Sequence, residues 1–335
     1  MKTIRALLAL PLLGAATYLY AASDALVVTS SNTAQNQLLV YNSSGSLLQS
    51  VPTQGQGGVG GNAGGIQAKG NLLAVVNFGS QSVTLFERDG SGFQVKQVLP
   101  AVSNPVSVAF GTDHLYVLGT TTVESHRLFG ATAALAPDGV SPLLLADGSA
   151  AQVGVLPGEL VITEKNNVIE TVSLIGGAVG GFPALVQNIP ANVNAPFGLV
   201  TRGDAAYVTI AHSDEISLVR KDAVLTTTAS GTQHAPCWLT LAGPFLFSSN
   251  SPSKTISRYV VAGQQIVQDA AIAASLIGSP TDIASGAGLV AVIDGSGGIS
   301  RVSIFALDDQ GNLVLQGSAP IASAANGVVV VASGN

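Results

Sequence analysis

Short apolar runs return along this chain in a fixed order. A small residue or Pro opens one apolar run, a second follows, then a polar Gly/Ser/Asn turn, then a third. The openings fall near Gly65, Pro105, Ala151, Pro196, Pro236, Pro280 and Ala325. Their spacing, about 40–46 residues, is the period of a four-stranded propeller blade. The second runs are nearly continuous: Leu72–Val76, Leu115–Leu118, Leu160–Thr163, Ala206–Ile210, Phe245–Ser248 and Leu289–Ile293. A strand of that kind needs cover on both faces, as stacked blades provide. The third runs alternate. Val83/Leu85, Ile169/Val172, Ile216/Leu218, Ile256/Tyr259 and Ile299/Val302 sit among polar residues such as Ser82, Thr84, Ser217 and Ser257. Weaker fourth runs, Phe93–Leu99, Val224–Thr228, Gln265–Ala270 and Leu313–Ser318, suit outer strands that meet solvent. With 39 glycines and no sustained helical period past the leader, the chain reads as all-β.

The two ends predict how the ring closes. Ala25–Thr29 reads as a second strand, and Leu38–Tyr41 and Leu47–Val51 as a third and fourth. That blade lacks a first strand. The run from Asn326 to Val331 reads as a first strand with no successors. The C-terminal strand is therefore expected to complete the N-terminal blade, giving a seven-bladed β-propeller with no open edge.

Lys2, Arg5 and the apolar stretch Ala6 to Ala22 read as a signal peptide over residues 1–22, with the propeller over 23–335 and a secreted product. A membrane anchor is the competing reading, but no basic cluster follows the stretch. Charged residues make up only 10% of the chain and the net charge is −6, which excludes a nucleic-acid partner and a basic membrane patch. Cys237 is the one cysteine, so stability must come from the sheet core and ring closure rather than disulfides. Asn42-Ser43-Ser44 is a glycosylation sequon, meaningful only in a eukaryotic source. A monomer is expected, with a small-molecule or carbohydrate ligand.

In a propeller the start of each first strand and the end of each second share one face, and ligands bind where those loops converge. Glu164 and Lys165 end an apolar strand there and suggest an acid/base pair. His212 would be a general base near pH 7. Asn77, Gln152, His234, Asn250, Asp282, Asp294 and Asn326 are candidate ligand contacts on the same face. Asp282 and Asn326 better suit the bonds that tie neighbouring blades. His212 with Asp214 or Asp294 is a weak metal signal without repeated ligand spacing, so no metal or other cofactor is expected. His114 and His126 read as structural. The run from Gln54 to Gly65 lacks the Gly-Lys-Ser/Thr ending of a phosphate loop and reads as a mobile rim over the channel.

The segments TEKNNVIETV (Thr163–Val172), NAPFGLV (Asn194–Val200), APCWLTL (Ala235–Leu241) and SPTDIA (Ser279–Ala284) fall in successive blades. They resemble the lactonase-type seven-bladed propellers, which include a bacterial 6-phosphogluconolactonase type and fungal carboxy-cis,cis-muconate cyclase. The resemblance covers essentially the whole mature chain. It implies a secreted lactone hydrolase or cycloisomerase, with Glu164 or His212 activating water or a carboxylate and Lys165 stabilising developing charge. Such enzymes act on anionic substrates, which calls for arginines at the channel. Here Arg88, Arg127, Arg220, Arg258 and Arg301 lie on or just after third strands, and Arg202 is on the opposite face. A non-catalytic extracellular binding or scaffold propeller is the alternative.

Overall fold

A computed structural model describes residues 25–90, 92–321 and 324–332. The leader read at residues 1–22 lies outside the described residues. Seven sheets follow one another around an axis. Each runs outward from an inner strand, and all pairings within the blades are antiparallel. Six inner strands follow in chain order: Ile66–Lys69, Pro105–Phe110, Ala150–Leu156, Pro196–Arg202, Pro236–Ala242 and Ser279–Gly286. They begin within a residue of the predicted openings. The seventh, Asn326–Ala332, pairs with Ala25–Ser30, placing Val27 opposite Val330 and Val28 opposite Val329. Closure by the C-terminal strand is therefore the observed arrangement. We number this composite blade 1 and continue around the ring, so blade 2 begins at Ile66 and blade 7 at Ser279.

The second strands are buried along almost their whole length, because each blade lies face to face with two others. The polar partners on the third strands are buried too, rather than turned to solvent. Thr84 donates to the Thr53 carbonyl, Ser257 to that of Ala271, and Ser217 pairs with Thr227. Burial is tolerated because each hydroxyl has a partner. Blades 3 and 4 depart from the simple pattern. Their outer strands are split into Thr132–Ala133 with Gly139–Pro142, and Ala178–Val179 with Ala184–Leu185. Pro137 and the Gly180-Gly181 pair interrupt them, which is why no fourth run is visible there.

The top of the inner strand carries a register shift in every blade but the second. A bulge of this kind turns the next backbone groups out of their own ladder. Neighbouring blades use them. Ser107 Oγ accepts from Val153 N at 3.3 Å, Gln152 Oε1 from Leu199 N at 2.6 Å, and Asp282 Oδ2 from Val328 N at 3.1 Å. Thr209 Oγ1 donates to the Cys237 carbonyl at 3.1 Å. These bonds stitch the inner strands into a ring and fix the bore of the channel.

Candidate ligand site

The glycine-rich segment is not a mobile rim. It crosses the upper end of the channel and is fastened by blades on several sides. Asn32, in blade 1, accepts from Gly58 N and Val59 N through Oδ1 and donates to the Val59 carbonyl at 2.7 Å. Lys165 Nζ, from blade 4, donates to the Gly61 carbonyl at 2.7 Å. Trp238 Nε1, from blade 6, donates to the Asn62 carbonyl at 3.0 Å. Asn62 Nδ2 donates to the Val106 carbonyl of blade 3, and Asn62 Oδ1 accepts from Asn326 of blade 1. Ala63 N reaches the Ala151 carbonyl. Val59, Asn62 and Ala63 are buried as a result. Some of the glycines are required sterically. A Cβ on Gly57 would stand 2.3 Å from the Asn32 backbone, and one on Gly64, at φ +65°, 2.9 Å from Ser107 Oγ. The segment is a plug.

This plug changes the reading of the predicted catalytic pair. Glu164 is fully buried, not at an exposed turn, and Oε1 accepts from Leu145 N at 3.1 Å. Burial raises its pKa, opposed by the amides of Leu145 and Ala146. Glu170, also buried, accepts from Leu144 N at 2.8 Å, and burial pushes its pKa up to about 8. Together the two carboxyls hold the connection between blades 3 and 4. Lys165 is bound to the carbonyls of Gly61 and Ala150, and its Nζ stands 6.0 Å from the Phe197 ring centroid. Its pKa is lowered by burial, opposed by Asp147.

Three predicted ligand contacts are likewise internal. Asn77 accepts from Thr53 and Asn36 and donates to Thr84. Asn250 donates to Thr255 and Ser257. Asp294 accepts from Gly278 N and Ser303. All three are fully buried at or near the ends of second strands, where Asn250 and Asp294 bond groups of their own blades and Asn77 ties blade 2 to Asn36 and Thr53 of blade 1. His212 and His234 lie on the upper face as expected. His234 Nδ1 and Asp214 Oδ2 are 2.9 Å apart, while His212 stands exposed nearby. Of the described residues, no group of three or more metal-ligating side chains is gathered.

Gln152 and Asp282 do line the channel, and Asn326 heads a strand whose Val328, Val329 and Val330 line it. They bound a cavity of about 240 Å³ beneath the plug, with Ala63 and Gly64 as its ceiling. A second cavity of about 170 Å³ shares Gln67, Gln152, Leu199 and Val200 with it and continues down to Phe110 and Thr201. The upper inner-strand residues are mostly buried, whereas Ala68, Phe110, Val155, Thr201, Ser285 and Val330 near the lower end are partly exposed. The channel is thus a well, closed above and open below. Its polar wall is Gln67, Gln152, Thr240, Ser285 and Asp282; its aromatic wall is Trp238, set edge-on to Phe197 at 5.2 Å. Asp282 Oδ1 accepts from Ile283 N at 2.8 Å, and burial outweighs these bonds to push its pKa up to about 7. Sequence reading missed Asn62, Gln67, Thr240 and Ser285. Asn62 alone left a trace, as the last polar side chain within a run of glycines.

No protein-family model matches the chain, and no curated protein matches it in sequence. Solved structures do match. A protein of unknown function from Desulfotomaculum acetoxidans has a TM-score of 0.68 at 10% identity, over 91% of this chain and 98% of its own. A candidate 6-phosphogluconolactonase from Bacteroides fragilis has a TM-score of 0.68 at 14% identity, over 92% of this chain and 98% of its own. The periplasmic gluconolactonase of Pseudomonas aeruginosa has a TM-score of 0.65 at 15% identity, over 92% of this chain and 100% of its own. The likeness is one of fold. At that level it agrees with the lactonase-type resemblance seen in the sequence.

Proposed function

We propose that this propeller binds a small, cyclic, hydroxyl-bearing ligand, a sugar or sugar lactone, in the well beneath the plug. The observation that carries the reading is the composition of the wall. An indole faces amides and hydroxyls around a space smaller than the roughly 300–1,000 Å³ of drug-sized pockets. Aromatic surface with neutral hydrogen-bonding groups suits a polyol ring, whose carbons are apolar and whose hydroxyls need partners. The architecture shared with a gluconolactonase supports the same class of ligand. Export through the leader at residues 1–22 completes the proposal.

One observation favours turnover as a second reading. A carboxyl near pH 7 can take a proton from water as it attacks a lactone carbonyl and return one to the departing ring oxygen. Asp282 is the group in the well with that property. The upper-face pair lies outside the well: Glu164 accepts from Leu145 N and Lys165 donates to the Gly61 carbonyl of the plug.

Trp238 is the single tryptophan and lies in the wall, so its fluorescence reports the well directly. Titration with glucono-δ-lactone and with glucose is expected to change it saturably. Gln152→Leu should weaken binding about tenfold or more, because a ligand polar group loses its partner at about 1–3 kcal/mol. His212→Ala, at an exposed upper-face residue that does not hold the plug, should leave the affinity unchanged. Hydrolysis followed in the same samples separates binding from turnover. A flat titration, or loss of binding in His212→Ala but not Gln152→Leu, would refute the well as the site.

A further inference from the structure

The outer edge of blades 3 and 4 is left apolar where the other blades carry a continuous outer strand. Val140, Leu144, Ile175, Phe182 and Leu185 all stand out there, Phe182 at 87% exposure and Ile175 at 69%. They belong to one patch. Val140 and Phe182 line the same cavity of about 350 Å³, together with Pro142, Gly180 and Gly181. A Cβ on Gly180 would fall 2.6 Å from Ile175 Cγ1. Leu144 N donates to Glu170, the residue opposite Leu185 in its strand pair. A Cβ on Gly139 would stand 2.0 Å from the Val179 carbonyl oxygen, so the two blades meet backbone to backbone at the cavity wall.

The patch carries no charge. The stretches 139–146 and 171–187 contain no Asp, Glu, Lys or Arg, and Glu170 lies buried beneath. Asp113, Arg127 and Asp138 border it on the side of blade 3, and Asp147 at the top. Glu159, Lys221 and Asp222 border it on the side of blade 5. Acids outnumber cations around the rim, which is the wrong balance for an anionic lipid surface. Two copies of this chain, each at −6, repel one another, and a face without charges is where they meet at the least electrostatic cost. The area also fits. A buried aromatic covers about 150–250 Å², so the five side chains offer on the order of 500 Å² of apolar surface. A standard interface takes about 800 Å² from each partner, somewhat over half of it apolar.

We infer that two copies of this chain pair through this face as a closed two-fold dimer, in place of the monomer expected from the sequence. The patch is its own complement. Phe182 stands at the lip of the cavity, so under a two-fold axis each ring enters the partner's cavity beside Val140 and Gly181, and the aliphatic side chains cover one another. Pairing at the outer edge leaves the well and its lower opening, which lie on the ring axis, clear of the contact.

Sedimentation velocity over a hundredfold concentration range reaching about 100 µM tests the pairing. Wild type should pass from monomer to dimer and stop there. Phe182→Lys should weaken pairing at least about thirtyfold, as loss of a central aromatic anchor does. Val140→Lys should act alike by placing a charge at the cavity. Both side chains are exposed, so the variants should melt with wild type at the lowest concentration. Ile299→Lys, at an exposed apolar residue of blade 7, should leave pairing intact. Added salt should tighten the dimer by screening the repulsion between copies. A wild type that stays monomeric throughout overturns the inference, as does a dimer that persists in both folded lysine variants or is lost equally in Ile299→Lys. Oligomers that keep growing with concentration overturn the two-fold closure. A monomer that co-floats with phosphatidylcholine vesicles would give the patch to a lipid surface and overturn the pairing.

Discussion

Deletion of residues 326–335 should leave no soluble, cooperatively folding protein. The closing strand supplies the whole inner edge of blade 1, from Asn326 opposite Ser30 to Ala332 opposite Ala25. It buries Val328 and Val329 and holds blade 7 through Val328 N on Asp282. It also fastens the plug through Asn326 and Asn62. Removing it exposes Val27 and Val28, both fully buried, along a bare strand edge inside the ring. Each such large apolar side chain is worth about 1.5–3 kcal/mol, so the loss exceeds the usual 5–15 kcal/mol of net stability once several are exposed. Size-exclusion chromatography and a thermal melt check this. A monomeric truncation with a sharp transition would show that the ring does not depend on closure.

Stability should fall as pH rises from about 4.5 to about 8, and Glu170→Gln should remove part of that fall. Glu170 keeps its proton up to about pH 8 in the folded chain, against 4.5 for a free glutamic acid. Between those values the folded state holds a proton that the unfolded state has released. Stability is therefore fully present below the unfolded pKa and is lost as pH climbs to the folded one. At each pH unit of that window the loss is about 1.4 kcal/mol at most, a few kcal/mol in all. Glutamine keeps an acceptor for Leu144 N and never ionises. Asp282 and Glu159, each pushed up to about 7, and Glu164, also raised, act in the same direction, so some slope remains in the variant. Urea unfolding at pH 5 and pH 8 measures both. Identical slopes for wild type and Glu170→Gln would mean that Glu170 ionises freely in the fold.

The fold was legible because its punctuation is local. Pro105, Pro196, Pro236 and Pro280 open inner strands, where the missing N–H costs nothing at a strand start. The missing first strand of blade 1 and the surplus one at the C-terminus are also visible in the chain itself. The broken outer strands of blades 3 and 4 were not, because an interrupted strand leaves no alternation to read.

The site was legible only in part. Glu164 and Asn250 looked like functional polar ends of strands, yet their strands are covered on both faces, and periodicity cannot say which way an end residue points when neither face is wet. The plug was read as mobile because it has almost no side chains. Its order comes from backbone groups bonded to Asn32, Lys165 and Trp238, and from the Asn62 side chain bonded to Asn326, residues far away in the chain. Such contacts leave no local pattern. The channel position of Gln152 and Asp282 is legible because they follow the strand openings, where the ring geometry places the bulge and the channel.

The central claim is that ligand chemistry belongs to the well under the plug and not to the upper face around Glu164 and Lys165. A crystal structure of the protein soaked with glucono-δ-lactone tests it most directly. The account predicts density for the ring below Ala63 and Gly64, within hydrogen-bond reach of Gln152 and Asp282 and against Trp238, with the plug in place. Density above the plug beside Lys165, or a displaced plug with Glu164 opened to the ligand, would contradict it.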